Sequence, residues 1–124
     1  MIQSFRDLTV WHKALALAEH VYSASEKMPK NEAFGLTLQL RRAAVSIPSN
    51  IAEGKAISGR GYLRHLRIAL GSEAELQTQI ELAARLKMLT QGDAESLLSE
   101  TSEVGRMLIS LLKSLTRTAR TQTT

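Results

Sequence analysis

The stretch RRAAVSIPSNIAEGKA, residues 41–56, decides how this chain is read. It opens as a helix, with paired arginines and small apolar residues, and then sets Pro48 in the middle. Proline has no N–H, and its ring crowds the carbonyl four residues back, here that of Ala44. Yet Leu36, Leu40, Ala44, Ile47 and Ile51 hold one apolar line on both sides of it. The spacing therefore predicts a single helix that bends near Pro48 and runs on to about Ile57. Ser49 or Asn50 would satisfy backbone groups that the proline leaves open. The competing account is a polar functional pocket built on Asn50, Glu53 and Ser72; the bend explains the same residues with less.

Outward from that segment, period 3.6 dominates and no stretch alternates at period 2. A first helix is expected from Thr9 to Met28, with Trp11, Ala14, Ala18, Val21 and Tyr22 as its apolar stripe and Pro29 beyond its end. Asn31 is the expected N-cap of the second helix. SGRG at 58–61 is the next turn, with Ser58 or Gly59 capping the third helix. That helix, Gly61 to Leu89, carries Leu66, Ala69, Leu70, Leu76, Ile80 and Ala83, plus a second apolar line of Ile68, Leu82, Leu86 and Leu89. After TQGD at 90–93, a fourth helix to Thr118 repeats Leu97, Val104, Leu108, Leu111 and Leu115, widened by Leu98, Met107 and Leu112.

Four amphipathic helices with short connections predict an all-α, up-down-up-down four-helix bundle. Residues 1–118 form its single domain, and the polar tail 119–124 is expected to fray. The surplus apolar lines on helices three and four exceed what one core needs, which points to self-association.

Composition narrows the function. The 124 residues hold 44% apolar but only 4% aromatic side chains, so the core is aliphatic. With no cysteine there is neither a disulfide framework nor a thiolate nucleophile. No leader-like or membrane-length apolar run is present, so the plain reading is a cytoplasmic protein without membrane contact. The net charge of +4, from 16 basic against 12 acidic residues, is a mild attraction for polyanions.

If helices two and three form an antiparallel hairpin, residues equidistant from the turn become neighbours. Pro48 then falls near Ala69 to Gly71, Glu53 near Arg64, and Arg42 near Glu73 or Glu75. Gly71, costing about 1 kcal/mol against Ala in a helix interior, suggests a close backbone approach opposite the proline. Trp11, Pro48, Asn50, Glu53 and Gly71 are thus the structural residues of this reading, with Trp11 and Tyr22 committed to the core.

FRDLTVWHKA (5–14), FGLTLQLRRAAVSIPSNIAEG (34–54) and IALGSEAEL (68–76) resemble the four-helix-bundle family of 23S rRNA intervening-sequence proteins. The likeness covers nearly the whole chain. It implies a bacterial source, a helical bundle and assembly into a ring-like homopentamer. That family is related to the accessory variability protein of diversity-generating retroelements, which presents a basic surface and binds nucleic acid and a reverse transcriptase. The resemblance therefore implies RNA, DNA or a reverse transcriptase as partners, beside the chain itself. Five copies would carry 5 × 4 = +20.

The placement of charge agrees with that implication. Helix four obeys its macrodipole, with Asp93, Glu95, Glu100 and Glu103 early and Lys113, Arg117 and Arg120 late. Helix three does not: Arg60, Arg64 and Arg67 crowd its N-terminal end, where cations are disfavoured. At spacings of four and three they form a stripe about 10 Å long, which suits successive backbone phosphates. Arg41, Arg42 and Lys55 are the secondary candidates, one of the paired arginines being expected to bond Glu73 or Glu75. Contacts of this kind grip phosphates without reading bases. The bland alternative is a solvated face in which Arg64 pairs with Glu53.

Enzymatic readings are weaker. A di-metal bundle needs Glu-x-x-His pairs, and His12, His20 and His65 all lack a glutamate three residues earlier. No serine has a histidine at recognisable spacing, and GKAISGRG (54–61) follows no strand. Arg60 and His65 match the short Arg-x4–6-His pattern of HEPN-type ribonucleases, a pattern that arises readily by chance. The expectation is a non-enzymatic oligomeric bundle, with no cofactor or metal, that binds nucleic acid or a nucleic-acid enzyme. A protein-interaction scaffold that never touches nucleic acid is the alternative, and a HEPN-like ribonuclease the weaker one.

Overall fold

A computed structural model describes residues 4–123, with side chains as far as Thr118. Its elements are α1 (Thr9–Ser25), α2 (Leu36–Ile57), α3 (Gly59–Arg85) and α4 (Gln91–Thr123), with 3-10 turns at Phe5–Asp7 and Lys30–Glu32. Each helix packs on its neighbours in sequence and α4 closes the ring on α1, while the diagonal pairs stay apart among the described residues. Bonded pairs run antiparallel along each seam, as with Ser46–Ser72 and Asn50–His65 between α2 and α3. The result is the expected up-down-up-down bundle.

The core is aliphatic throughout. Leu17, Leu40, Ile47, Ile51, Leu66, Leu76, Ile80 and Leu108 are fully buried, each contributing about 1.5–3 kcal/mol of transfer free energy. Pro48 is itself buried inside α2, which continues through it. Trp11 is half-buried and meets Phe5 edge-to-face at 5.1 Å. Tyr22, expected in the core, is instead exposed and lies under the Arg41 guanidinium at 4.6 Å. In the second apolar line of α3, Ile68, Leu82 and Leu86 are exposed, but Leu89 turns into the core.

The helix ends differ from expectation for local reasons. α1 stops at Ser25 because Lys27 and Met28 donate only three residues back, tightening the last turn ahead of Pro29. Asn31 does not cap α2: it lies in the 3-10 turn, and the Glu32 carboxylate accepts from the Leu36 N–H at 3.1 Å. Ser58 separates α2 from α3, but its hydroxyl donates back to Lys55 O rather than capping α3. α3 ends at Arg85 because Lys87 adopts a left-handed φ of 60°. Lys87 N–H then bonds Ala84 O, and Met88 N–H bonds Ala83 O at 2.8 Å, which closes the carbonyl end. α4 is capped by Thr90 Oγ1, which accepts from Asp93 N–H, and it passes Thr118 to reach Thr123. The side chains of the predicted tail, Arg120 among them, lie outside the described residues.

The close approach expected at Gly71 is elsewhere. Gly71 is exposed, and an added Cβ would meet nothing within 4 Å. Contact is tight at Gly54, where a Cβ would sit 2.9 Å from His65 Cβ and 3.2 Å from the Tyr62 carbonyl oxygen. It is tight again at Gly105, where a Cβ would lie 2.7 Å from Glu73 Oε1. These two glycines let α2 approach α3 and make room for a carboxylate between α3 and α4.

Candidate nucleic-acid interface

Arg60, Arg64 and Arg67 occupy the first turns of α3, all exposed on its outer face. None makes a side-chain hydrogen bond or ion pair with a described residue. Arg64 does not pair with Glu53: that carboxylate reaches His65, with Oε2 3.6 Å from Nδ1. No side-chain oxygen caps the start of α3, so its positive dipole end adds to the field of the three guanidinium groups.

The secondary candidates divide. Arg42 is exposed and without a partner among the described residues. Arg41 is occupied: its Nε donates to Ser25 Oγ at 2.8 Å while the guanidinium covers Tyr22. Lys55 is half-buried, with Nζ 5.7 Å from the Tyr62 ring centroid. Neither arginine bonds Glu73 or Glu75. Glu73 is buried on the α3–α4 seam, where it accepts from Gln77 Nε2, which also donates to Ser102 Oγ at 3.2 Å. Burial raises the Glu73 carboxyl above its ordinary pKa, and the Gln77 bond only partly opposes this.

A groove runs between α3 and α4, lined by Leu70, Ile109, Leu112, Lys113, Thr116 and Arg117 among others. Lys113 is exposed and belongs to this wall. In sequence it was legible only as a dipole-matched cation near the end of helix four. The α3–α4 register, set by Glu73 against Gly105 and Gln77 against Ser102, brings it alongside the N-terminal half of α3.

The residues weighed for a polar pocket are joined in one chain along the α2–α3 seam. Ser72 Oγ bonds Ser46 Oγ at 2.8 Å, Asn50 Nδ2 donates to Ser46 O at 2.8 Å, and His65 Nδ1 meets Asn50 Oδ1 at 2.9 Å. Asn50 thus bonds the Ser46 carbonyl, not the Ala44 carbonyl that Pro48 leaves without its helical donor. His65 is the member that sequence spacing did not assign.

The opposite seam is occupied by paired charges. Lys13–Glu103 at 3.2 Å, His20–Glu100 at 2.6 Å and Lys27–Asp93 at 3.3 Å tie α1 and the turn that follows it to α4. Exposed pairs such as these contribute under about 1 kcal/mol each, so they set register more than stability. Among the described residues no group of three or more histidines and carboxylates could hold a metal ion, and no helix is long and apolar enough to cross a membrane.

Residues 6–110 match the family described as 23S rRNA-intervening sequence protein. A solved structure from Bacteroides thetaiotaomicron, described as a protein with unknown function from the S23 ribosomal protein family, is similar over 84% of this chain and 95% of its own. The two share 27% identity with a TM-score of 0.78. No curated protein matches the chain.

Proposed function

The chain belongs to the 23S rRNA-intervening sequence protein family, and from that premise we propose that it is a non-enzymatic, homo-oligomeric bundle that binds nucleic acid through the N-terminal face of α3. Arg60, Arg64 and Arg67 are the primary phosphate contacts, with Arg42 and Lys113 extending the basic surface. Arg41 and Lys55 contribute less, being engaged with Tyr22 and Tyr62.

One observation carries the reading: three arginines, without an acidic partner among the described residues, stand together at the positive end of a helix dipole. That arrangement costs free energy in the isolated protein, and a bound polyanion would offset it. The family's name, which refers to an intervening sequence of 23S rRNA, makes structured RNA the first ligand to try. Exposed Ile68, Leu82, Leu86 and Ile109 support self-association, for which a pentameric ring is the proposed form. A ring would repeat the basic face around its circumference and sum its field.

The test is an equilibrium titration of labelled structured RNA and duplex DNA with wild type and with the Arg60/Arg64/Arg67→Ala variant, the assembly mass of both being measured. The reading expects binding to both nucleic acids with little sequence preference, and at least about tenfold weaker binding by an equally assembled variant. Absence of binding at low salt by correctly assembled wild type would reject it in favour of a protein-docking scaffold.

A further inference from the structure

One large apolar side chain stands almost wholly outside the bundle. Phe34 is 92% exposed, whereas Ile57, next among the exposed large apolar residues, reaches 60%. The backbone that presents it is held in place. Ala33 N–H bonds Lys30 O at 3.2 Å and Gly35 N–H bonds Glu32 O at 2.9 Å, one on each side of Phe34. The Glu32 carboxylate then fastens this loop to the Leu36 N–H at 3.1 Å, in the first turn of α2. A phenyl group held out on a fixed backbone has little loop freedom to lose when it docks.

The topology sets what faces what. α1 and α2 form one side of the bundle, with Phe34 in their connection, and α3 and α4 form the other. On that far side lies the α3–α4 groove, about 480 Å³, with Leu70, Ile109 and Leu112 in its walls and Lys113 and Arg117 at its rim. The connection 26–35 carries Glu26 and Glu32 against that basic rim. Its Lys27 is paired with Asp93, which leaves Lys30 as its remaining cation. We infer that Phe34 seats in the α3–α4 groove of a second copy of this chain, a contact that rests on the self-association reading and gives that association its two faces.

Symmetry agrees with this pairing. A closed ring with an odd number of subunits needs heterologous contacts, in which each chain offers two different surfaces. A projecting side chain on one side and a groove on the other let every copy donate once and accept once. Phe34 alone would bury about 150–250 Å², roughly a quarter of one partner's share of a standard interface. Exposed Tyr22 on the α1–α2 side and exposed Ile109 in the groove add to it. Nucleic acid fits Phe34 less well. Ser46 opposite Ser72 sets the α2–α3 register, so Phe34 is level with the end of α3, about 25 Å along the axis from Arg67. A base stacked on it would lie at the opposite end of the bundle from the arginines.

The chain has no cysteine, so single introduced thiols report the contact cleanly. Ala33→Cys and Ser110→Cys leave Phe34 in place and put one thiol beside it and one in the groove. Mixed and treated with a short bismaleimide, the two variants should give covalent dimers, and each alone should not. Dimers from Ala33→Cys alone would mean that the loop meets itself, and would overturn the groove assignment. Light scattering across a dilution series should show Phe34→Ser assembling at least about tenfold more weakly than wild type, with unchanged circular dichroism. Wild type that stays monomeric would remove self-association and this contact together. An assembled wild type matched by Phe34→Ser, or no cross-link in the mixture, would overturn the contact and leave self-association standing. Weaker binding of duplex RNA by an equally assembled Phe34→Ser would give Phe34 to nucleic acid and overturn it too.

Discussion

The same substitution, Gly→Ala, should change stability in opposite directions at two positions of this bundle. At Gly71 an added Cβ meets nothing within 4 Å, on an exposed face in the middle of α3. Only the helix-propensity gain remains, so Gly71→Ala should stabilise by about 0.5–1 kcal/mol. At Gly105 the new Cβ would lie 2.7 Å from Oε1 and 2.8 Å from Cδ of the buried Glu73 carboxylate. The carboxylate must move, losing a charge-assisted bond from Gln77 valued at about 1.5–3 kcal/mol, with overpacking strain of similar size. Set against the propensity gain of about 1 kcal/mol, Gly105→Ala should still destabilise by about 1–3 kcal/mol. The cause is separable by a double-mutant cycle: in a Glu73→Ala background, with the obstructing carboxylate gone, Gly105→Ala should become stabilising. Urea and thermal unfolding followed by circular dichroism at one protein concentration would resolve the difference, since 1 kcal/mol moves Tm by about 3–6 °C in a domain of this size. Equal signs at Gly71 and Gly105, or no reversal in the double mutant, would refute the packing account.

Three further outcomes are expected from the same structure. Glu73 holds its proton more tightly folded than unfolded, so its stabilisation is complete below the ordinary carboxyl pKa and is lost as pH rises through the raised folded value. Glu73→Gln keeps the shape and the Gln77 bond; its advantage over wild type in urea midpoint should grow from about pH 4 to about pH 7, and a constant gap would contradict the burial. Ser58 sits at φ 67°, ψ −179°, backbone that suits glycine, so Ser58→Gly should raise stability by about 1 kcal/mol in chemical denaturation, and a loss would argue against strain there. Gly54→Ala presses on His65 Cβ and on the Tyr62 backbone, which cannot swing aside; a loss of about 2 kcal/mol or more is expected on thermal unfolding, and a neutral result would deny the close approach.

The bundle was legible because periodic aliphatic residues persist on both sides of Pro48, and the packed positions Leu40, Ala44, Ile47 and Ile51 follow from that one line. Antiparallel counting found the α2–α3 neighbourhood but not the partner of Glu53, whose carboxylate reaches His65 rather than Arg64. The bond between His65 and Asn50 across the seam depends on an amide orientation set by a backbone carbonyl, something no residue pattern encodes. Gly71 looked structural because a helix-interior glycine usually marks contact; here a Cβ at Gly71 meets nothing, while Gly54 and Gly105 lie in tight contact with a neighbouring helix. The helix ends at Lys87 and Glu32 depend on local backbone and side-chain bonds that propensity does not resolve. The arginine stripe was visible from its conflict with the helix dipole, and its freedom from acidic partners among the described residues became visible only once Glu53 was seen to face His65.

The salt dependence of binding tests the central claim most directly. The logarithm of the affinity for duplex nucleic acid, plotted against the logarithm of salt concentration, has a slope that counts the phosphates neutralised. If Arg60, Arg64 and Arg67 each hold one, the triple alanine variant should show a slope shallower by about 2–3 for each engaged subunit. Wild type and an equally assembled variant with the same slope would mean that these arginines touch no phosphate, and the α3 face would lose its assignment.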